Sequence, residues 1–162
     1  MKIRLAQPQD LPRLLEIYED ARRYMRANGN PHQWTGGYPD QAVLLEDIDL
    51  RRLYACEEDG EILGVFCYFE GEDPTYRVIY DGAWLNPRPY GVLHRIAVAA
   101  HRRGVASFCF DFCYSRCHNL KIDTHRDNLP MQRSLEKNGF CRCGIIHLAS
   151  GDERIAYQKA ED

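Results

Sequence analysis

The sequence predicts an α/β (α+β) fold in which a mixed, mostly antiparallel sheet has helices on both faces. Two strands between 52 and 70 are joined by Asp59-Gly60, a dipeptide typical of tight hairpins. Two strand–helix units then follow one another at 93–117 and 120–137. Because a strand–helix–strand crossover makes its two strands parallel, we expect one parallel pair in the middle of the sheet.

The elements are predicted in the order strand, two helices, three or four strands, helix, strand, helix and two strands. The first helix opens at Gln7 and ends at Gly29, with leucines recurring on one face. Asp40 is placed to cap the second helix, which runs to residue 50. Strands are predicted at 3–6, 52–58, 61–70, 93–98, 120–123, 140–149 and 153–159, and the last two helices at 105–117 and 128–137. Residues 76–84 are predicted as an extended stretch, which would be the fourth strand before the third helix.

The segment between the first two helices, 28–40, is rich in glycine and proline but also contains Trp34 and Tyr38. Large aromatic side chains are costly to leave in a mobile loop, so the segment is expected to fold over something. A lid over a substrate and a cap on the core are equally compatible with this composition.

Length and composition limit the classes of function. With 162 residues and 44% hydrophobic content, residues 1–162 fit a single domain. The net charge of −3, with both signs mixed along the chain, favours neither nucleic acid nor a membrane as a partner. No signal-peptide core or apolar run of membrane length is present, so we expect a cytoplasmic protein.

The seven cysteines, an odd number, indicate reduced thiols rather than a disulfide framework. Their spacing lacks the paired knuckles typical of zinc sites, so no metal is expected there. Three of them recur at helical spacing beside two phenylalanines in the third helix, which predicts one apolar stripe. The members of this stripe are Phe108, Cys109, Phe112, Cys113 and Cys117.

The strand at 93–98 and the turn after it form the central segment of the chain. In the turn, Gly104 and Ala106 remove side-chain bulk, and the residues from His101 to Arg103 supply positive charge. A turn of this kind at the start of a helix can bind a phosphate. Strict alternation in the strand would place His94, Ile96 and Val98 on one face and Leu93, Arg95 and Ala97 on the other.

The second strand–helix unit carries a more specific pattern. It brings His125, Arg126 and Asn128 to the same sheet edge as the turn, and its segment 128–140 has the sequence NLPMQRSLEKNGF. Together with the turn HRRGVA at 101–106, this segment resembles the GNAT superfamily of acetyl-CoA-dependent N-acetyltransferases. The resemblance covers essentially the whole chain, although the turn departs from the family pattern at His101 and at Ala106, which replaces a glycine.

The resemblance implies that the two central strands splay apart and that the pantetheine arm of acetyl-CoA lies between them. The arm would pair with the backbone of the first strand, while the diphosphate would take N–H groups and positive charge from the turn. Asn128 would contact the pantetheine or would serve only as a helix cap. The implied cofactor-binding residues are Ile96, Ala97, Val98, His101, Arg102, Arg103, Gly104, Val105, Ala106 and Asn128.

The implied reaction is direct attack of an amine on the thioester, which needs a base, a donor for the oxyanion and a proton for the thiolate. A backbone N–H within 96–98 is the candidate oxyanion donor. Many family members carry a tyrosine acid at the position of Leu135, and leucine cannot donate a proton. The candidate bases are Glu70, Asp81, His94 and Asp123, although a strand histidine is more often a packed core residue than a catalyst.

The sequence is also compatible with other functions. A module that binds acyl-CoA without turnover would be compatible with Leu135. The alternating Asp123, His125 and Asp127 could hold a divalent ion, but such residues before a helix more often form caps and turns. The acceptor could be a small-molecule amine or an amine of a protein or peptide, and the resemblance is also compatible with a homodimer.

Overall fold

The fold is a seven-stranded sheet with four α-helices, as described over residues 1–161 by a computed structural model. The strands are β1 (Lys2–Leu5), β2 (Leu53–Glu58), β3 (Glu61–Glu70), β4 (Gly91–Val98), β5 (Asn119–Thr124), β6 (Cys141–His147) and β7 (Glu153–Ala160). The helices are α1 (Leu11–Ala27), α2 (Gln41–Asp49), α3 (Val105–Cys117) and α4 (Leu129–Lys137). The strand order is β1-β2-β3-β4-β5-β7-β6, and only β4 and β5 are parallel neighbours.

This topology confirms the predicted mixed sheet with one central parallel pair, and the helices cover both of its faces. On one face, buried residues of α1 and α2 such as Leu14 and Leu44 pack on Val65 of the sheet. On the other face, α3 and α4 contribute Phe110 and Leu135 to a second core. The Asp59-Gly60 hairpin and the Asp40 cap are also confirmed, because the Asp40 carboxylate accepts the Val43 N–H at 3.1 Å.

The parallel pair is short, and the two strands separate after it. Only Gly91 and Val92 of β4 pair with β5, opposite Leu120 and Lys121, although β4 continues to Val98. Past Val92 the strands therefore diverge in a V. Backbone N–H and C=O groups along this edge of β4 need other partners, because buried backbone groups are almost always hydrogen-bonded.

A bulge in β4 sets the geometry of this opening. Cys67 of β3 pairs with His94 and Val65 pairs with Ala97, so one residue of β3 faces two of β4. Arg95 has φ +54° at the bulge, and the Tyr18 hydroxyl of α1 donates to its carbonyl at 2.7 Å. The predicted strict alternation is therefore wrong, because Leu93 and Ile96, expected on opposite faces, share one core.

The stripe expected on α3 is only partly correct. Cys109 and Cys113 are fully buried, but Phe108 and Phe112 lie at the margin of the core, while Phe110 is buried at its centre. The helix is apolar on more than one side, so its sequence does not define a single stripe. None of the helices described between residues 1 and 161 has both the length and the apolar character that crossing a membrane requires.

The strand predicted at 76–84 is wrong. Tyr76 ends a short 3-10 turn, and the segment makes a single bridge to the sheet, between Tyr80 and Ile145. Asp81 follows with φ +55°, and a Cβ on Gly82 would lie only 1.9 Å from a β6 carbonyl oxygen, that of Cys143. Tyr80 exchanges two backbone hydrogen bonds with Ile145, and the Ala83 N–H donates to the Cys143 carbonyl, but the pairing does not extend into a strand.

Candidate functional site

The opening between β4 and β5 continues into three cavities that share lining residues. A deep cavity of about 570 Å³ lies against β4, β5 and the segment 33–38. A groove of about 220 Å³ follows β4 towards α3, and Ile96 and Met131 line both spaces. A basic cavity of about 510 Å³ continues from the groove at the start of α3 and shares Arg102 and Ala106 with it. The three together can accommodate one extended ligand.

The basic cavity is suited to anions. The first N–H groups of α3, at 105–107, have no acceptor within the helix, and they add to the positive end of its dipole. Gly104 caps the helix with φ +82°, and a Cβ there would meet nothing within 4 Å, so the approach is open. The cavity contains four cationic side chains: Arg102, Arg103, Arg133 and Lys137. Of these, sequence analysis identified only the first two as binding residues.

The groove places the backbone of Ile96, Ala97 and Val98 opposite α4. Asn128, at the far side of the groove, already uses both ends of its side chain within the protein. Its oxygen accepts the Met131 N–H at 3.2 Å, and its nitrogen donates to the Gln33 side chain at 2.9 Å. The helix-cap role considered from the sequence is therefore present, and a contact with pantetheine stays a prediction.

His101 and Ala106 also line the groove, near its junction with the basic cavity. His101 has φ +51° and packs against Tyr24 of α1, with 3.6 Å between the ring centroids and the rings tilted by 39°. Val105 is buried in the core beneath the turn and contributes only its backbone. All of the predicted cofactor-binding residues thus lie along the groove and the basic cavity, in or next to the surfaces that line them.

Two carboxylates and an imidazole that line the deep cavity form a chain with the buried phenol of Tyr76. His94 Nε2 lies 2.7 Å from an oxygen of Asp73, and its Nδ1 lies 4.0 Å from an oxygen of Asp123. The Tyr76 hydroxyl donates to the same oxygen of Asp123 at 2.6 Å. Two of the four predicted bases, His94 and Asp123, are therefore brought together, along with two residues that sequence analysis missed.

The protonation of Asp73 and Tyr76 follows from their surroundings. Burial raises the pKa of Asp73, but hydrogen bonds from His94 and Thr75 outweigh that effect and bring the pKa down to about 2. Burial and the nearby Asp123 carboxylate raise the pKa of the Tyr76 phenol well above its usual value, so the phenol keeps its proton. Because ionised Asp73 can only accept, a neutral His94 carries its proton on Nε2 and leaves Nδ1 free to accept.

Glu70 and Asp81 are placed elsewhere. Glu70 is exposed at the end of β3, accepts a hydrogen bond from Tyr68 at 3.1 Å, and lines a separate shallow cavity next to His94. Asp81 is exposed in the turn over β6, outside the residues that line the deep cavity. Neither carboxylate joins the chain formed by His94 and Asp123.

Leu135, whose hydrocarbon side chain cannot donate a proton, is fully buried in the core between α3, α4 and the sheet. The residues considered for a divalent ion form a turn: His125 Nδ1 accepts the Asp127 N–H at 3.0 Å. Within the described part of the chain, no group of three or more His, Cys, Asp or Glu side chains is positioned to hold a metal ion.

The segment 28–40 both covers the core and walls the deep cavity. Trp34 packs edge-on against Tyr18, with 5.6 Å between centroids, and also lines the cavity. Gln33 fixes the segment, because its side chain accepts from Asn128 and its carbonyl accepts from Arg154 of β7. The cap on the core is thus present, and a role as a lid over a substrate stays a prediction.

Several lining residues were missed for a physical reason. Asp73 occurs in an Asp-Pro-Thr turn whose Asx hydrogen bonds, to the N–H and hydroxyl of Thr75, could have been foreseen. Tyr76 and Arg154 carry no such local signal, since only the tertiary structure brings Tyr76 to Asp123 and Arg154 to the cavity. An arginine within a strand looks the same in sequence whether it faces solvent or a buried space.

Comparison with known proteins adds three findings. The family model of the acetyltransferase (GNAT) family matches residues 12–140. A GNAT-family acetyltransferase from Streptococcus agalactiae 2603 is 30% identical, with a TM-score of 0.91 over 99% of this chain and 95% of that one. AAC(6')-Ib in complex with ribostamycin and coenzyme A is 18% identical, with a TM-score of 0.66 over 99% and 93%. Comparison with curated proteins gave no significant match.

Proposed function

Because the chain belongs to the GNAT acetyltransferase family, we propose that it transfers the acetyl group of acetyl-CoA to the nitrogen of an amine. The observation that carries this proposal is the short pairing of β4 with β5, limited to Gly91 and Val92. It opens a continuous path from the basic cavity to the chain of His94 and Asp123. Such a path matches a donor with phosphates at one end and a thioester at the other.

The residues present fit acetyl-CoA. The four cations of the basic cavity and the free N–H groups of α3 would hold phosphates. The edge of β4 at 96–98 would pair with the amides of the pantetheine arm, as an added strand pairs with a sheet edge. The buried hydroxyl of Thr124, at the end of β5, has no hydrogen-bond partner among residues 1–161 and is available to a bound ligand.

In the proposed reaction, His94 Nδ1 takes the proton of the attacking amine. Its distance of 4.0 Å from the Asp123 oxygen is too long for a hydrogen bond but allows one nitrogen to lie between the two acceptors. Asp123 would hold the ammonium form, and Asp73 would stabilise the imidazolium that forms. The neutral amine then adds to the thioester carbonyl, and a backbone N–H of 96–98 donates to the oxyanion that forms. The C–S bond then breaks, and the nitrogen loses its second proton to water in the cleft.

The leaving thiolate must be neutralised without a tyrosine at position 135. A thiol has a pKa of about 8.5, so the thiolate is a moderate leaving group and water in the open groove can protonate it. The proton gained by His94 returns to solvent through the same cleft. We also propose a reducing, cytoplasmic setting, which the seven free cysteines support.

A second candidate is an acyl-CoA-binding module without turnover, which the buried Leu135 favours. One experiment separates the two functions. Under both hypotheses acetyl-CoA should raise the Tm of the protein. At 100 times its Kd, a bound ligand adds about 2.7 kcal/mol to the free energy of unfolding. Only the transferase should release free thiol when acetyl-CoA is mixed with a panel of amines. Binding without thiol release across the panel would exclude the transferase, and no binding would exclude both.

A further inference from the structure

The deep cavity contains a buried cation without a carboxylate partner. Arg154 of β7 is only 6% exposed, and its guanidinium donates to the backbone carbonyls of Glu153 at 2.9 Å and Gln33 at 3.4 Å. No acidic side chain among residues 1–161 forms an ion pair with it within 4.0 Å. A buried charge without a counter-charge is costly, so this arrangement calls for an explanation.

Arg95, the other largely buried arginine in this cavity, shows the usual arrangement. Its guanidinium pairs with the Asp47 carboxylate at 2.5 Å and also donates to the Tyr38 hydroxyl at 3.0 Å. The chain thus neutralises Arg95 internally and leaves Arg154 with neutral carbonyl partners. Of these two arginines, only Arg154 lacks a carboxylate partner among residues 1–161.

The sheet register places Arg154 close to the proposed base. Asp123 of β5 lies directly opposite Ala156 of β7, so the two side chains share a face. Arg154 is two residues from Ala156 and is on that same face. Diagonal neighbours of this kind have Cα atoms about 7–8 Å apart, and both side chains line the deep cavity.

The surroundings of Arg154 favour an anion over a second cation. It also lines an adjoining cavity of about 500 Å³, in which Arg126 and His32 add potential positive charge. Burial and the charge of Arg154 lower the pKa of His125 in that cavity. The carboxylates of Asp152 and Glu153 face the same space, but both residues are exposed to solvent.

Resting on the proposed acetyl transfer, we infer that the acceptor is an amine that also carries a carboxylate, such as an amino acid or a short peptide. The amine lies between His94 and Asp123, and the carboxylate accepts two hydrogen bonds from Arg154. This fork-to-fork pairing uses guanidinium donors that the two backbone carbonyls leave free. The substrate thereby supplies the missing counter-charge.

The first test compares acceptors that differ only in the carboxylate: an amino acid, its amide and its decarboxylated amine. We expect kcat/KM for acetylation of the acid to exceed that of the other two by roughly 10- to 100-fold. The amide has the more readily deprotonated amine, so an intrinsic reactivity difference would act in the opposite direction. Equal or faster acetylation of the amide and the amine would overturn the inference.

The second test uses Arg154→Met, with Arg142→Met on the exposed surface of β6 as its matched control. The Arg154 variant should lose the preference for the acid over the amide, while the control keeps that preference. Arg154→Lys, which retains charge but not the fork, should show an intermediate preference. An equal loss for all three acceptors would indicate a structural role and overturn the inference.

A binding measurement separates this inference from the proposed function. The amino acid alone should raise the Tm of the wild-type protein, whereas its amide should not, and Arg154→Met should abolish the difference. Carboxylate-dependent stabilisation without thiol release would support the acceptor site and contradict acetyl transfer. Thiol release without any carboxylate dependence would support acetyl transfer and overturn the acceptor site.

Discussion

The two ends of the cleft are built in different ways. The basic cavity is formed mainly by one contiguous turn, in which Gly104 and the first backbone N–H groups of α3 face open space. The deep cavity is assembled from side chains far apart in sequence, so that Asp73, His94 and Asp123 come from a loop and two different strands. One end relies on backbone geometry and the other on buried side-chain contacts.

This difference determines what a substitution can do at each end. A backbone site tolerates changes in most side chains and fails only where a side chain blocks the approach or reverses the charge. A side-chain site loses its chemistry when one atom is replaced, because each group depends on a partner. The following substitutions test this contrast.

The largest effect is expected from His94→Gln. Glutamine can still donate to Asp73, but it cannot take a proton from the amine, so kcat should fall by roughly 10²- to 10⁴-fold. The rate of thiol release from acetyl-CoA at saturating amine measures this. His147→Gln, an exposed histidine at the end of β6, should keep wild-type activity. Wild-type kcat in His94→Gln would remove histidine from the proposed reaction.

At the other end, Gly104→Asp should abolish the rise in Tm that acetyl-CoA causes, because a carboxylate would replace open space in an anion site. Gly60→Asp is a matched control, since Gly60 has φ +79° against +82° for Gly104 and equally open surroundings. Both variants suffer similar backbone strain, but only the first should lose the response to acetyl-CoA. A full response in Gly104→Asp would refute the phosphate site.

The same contrast explains which parts of the molecule could be predicted from sequence. The Asp59-Gly60 hairpin, the Asp40 cap and the Gly104 turn are set by local backbone preferences, which the sequence displays directly. The parallel pair followed from the chain order of strand, helix and strand. These features needed no knowledge of distant contacts.

The features that sequence analysis missed depend on contacts between distant residues. Arg95 adopts φ +54° while the Tyr18 hydroxyl, 77 residues away, binds its carbonyl, and no residue near Arg95 signals the bulge. The sequence supplied four candidate bases, and only the fold brings His94 and Asp123 together and adds Asp73. Long-range hydrogen bonds of this kind leave no periodic pattern.

A smaller effect is expected on stability as a function of pH. The pKa of Asp73 falls from 3.8 to about 2 on folding, so its contribution of about 2 kcal/mol is fully present above pH ~4 and is lost as the pH falls towards 2. Asp73→Asn should therefore lower the free energy of unfolding at pH 7, and this deficit should shrink near pH 2. Urea unfolding at both pH values measures this, with exposed Asp111→Asn as a control. A deficit that does not depend on pH would contradict the ionised state of Asp73.

The smallest effect is expected from Tyr18→Phe, which removes the donor to the Arg95 carbonyl at the bulge. The loss of one neutral hydrogen bond of this kind costs about 1 kcal/mol of unfolding free energy. Tyr157→Phe is the matched control, because the buried Tyr157 hydroxyl has no partner among residues 1–161 and its loss should cost little. Equal urea midpoints for the two variants would show that this hydrogen bond does not stabilise the bulge.

The central claim is that acetyl-CoA occupies the V between β4 and β5, and amide hydrogen exchange tests it most directly. Saturating acetyl-CoA should slow exchange at 94–98 of β4 and at 105–107 of α3, because these N–H groups gain partners or lose access to water. Exchange in β2, away from the opening, should change little. Unchanged exchange at both 94–98 and 105–107 with saturating acetyl-CoA would contradict the account.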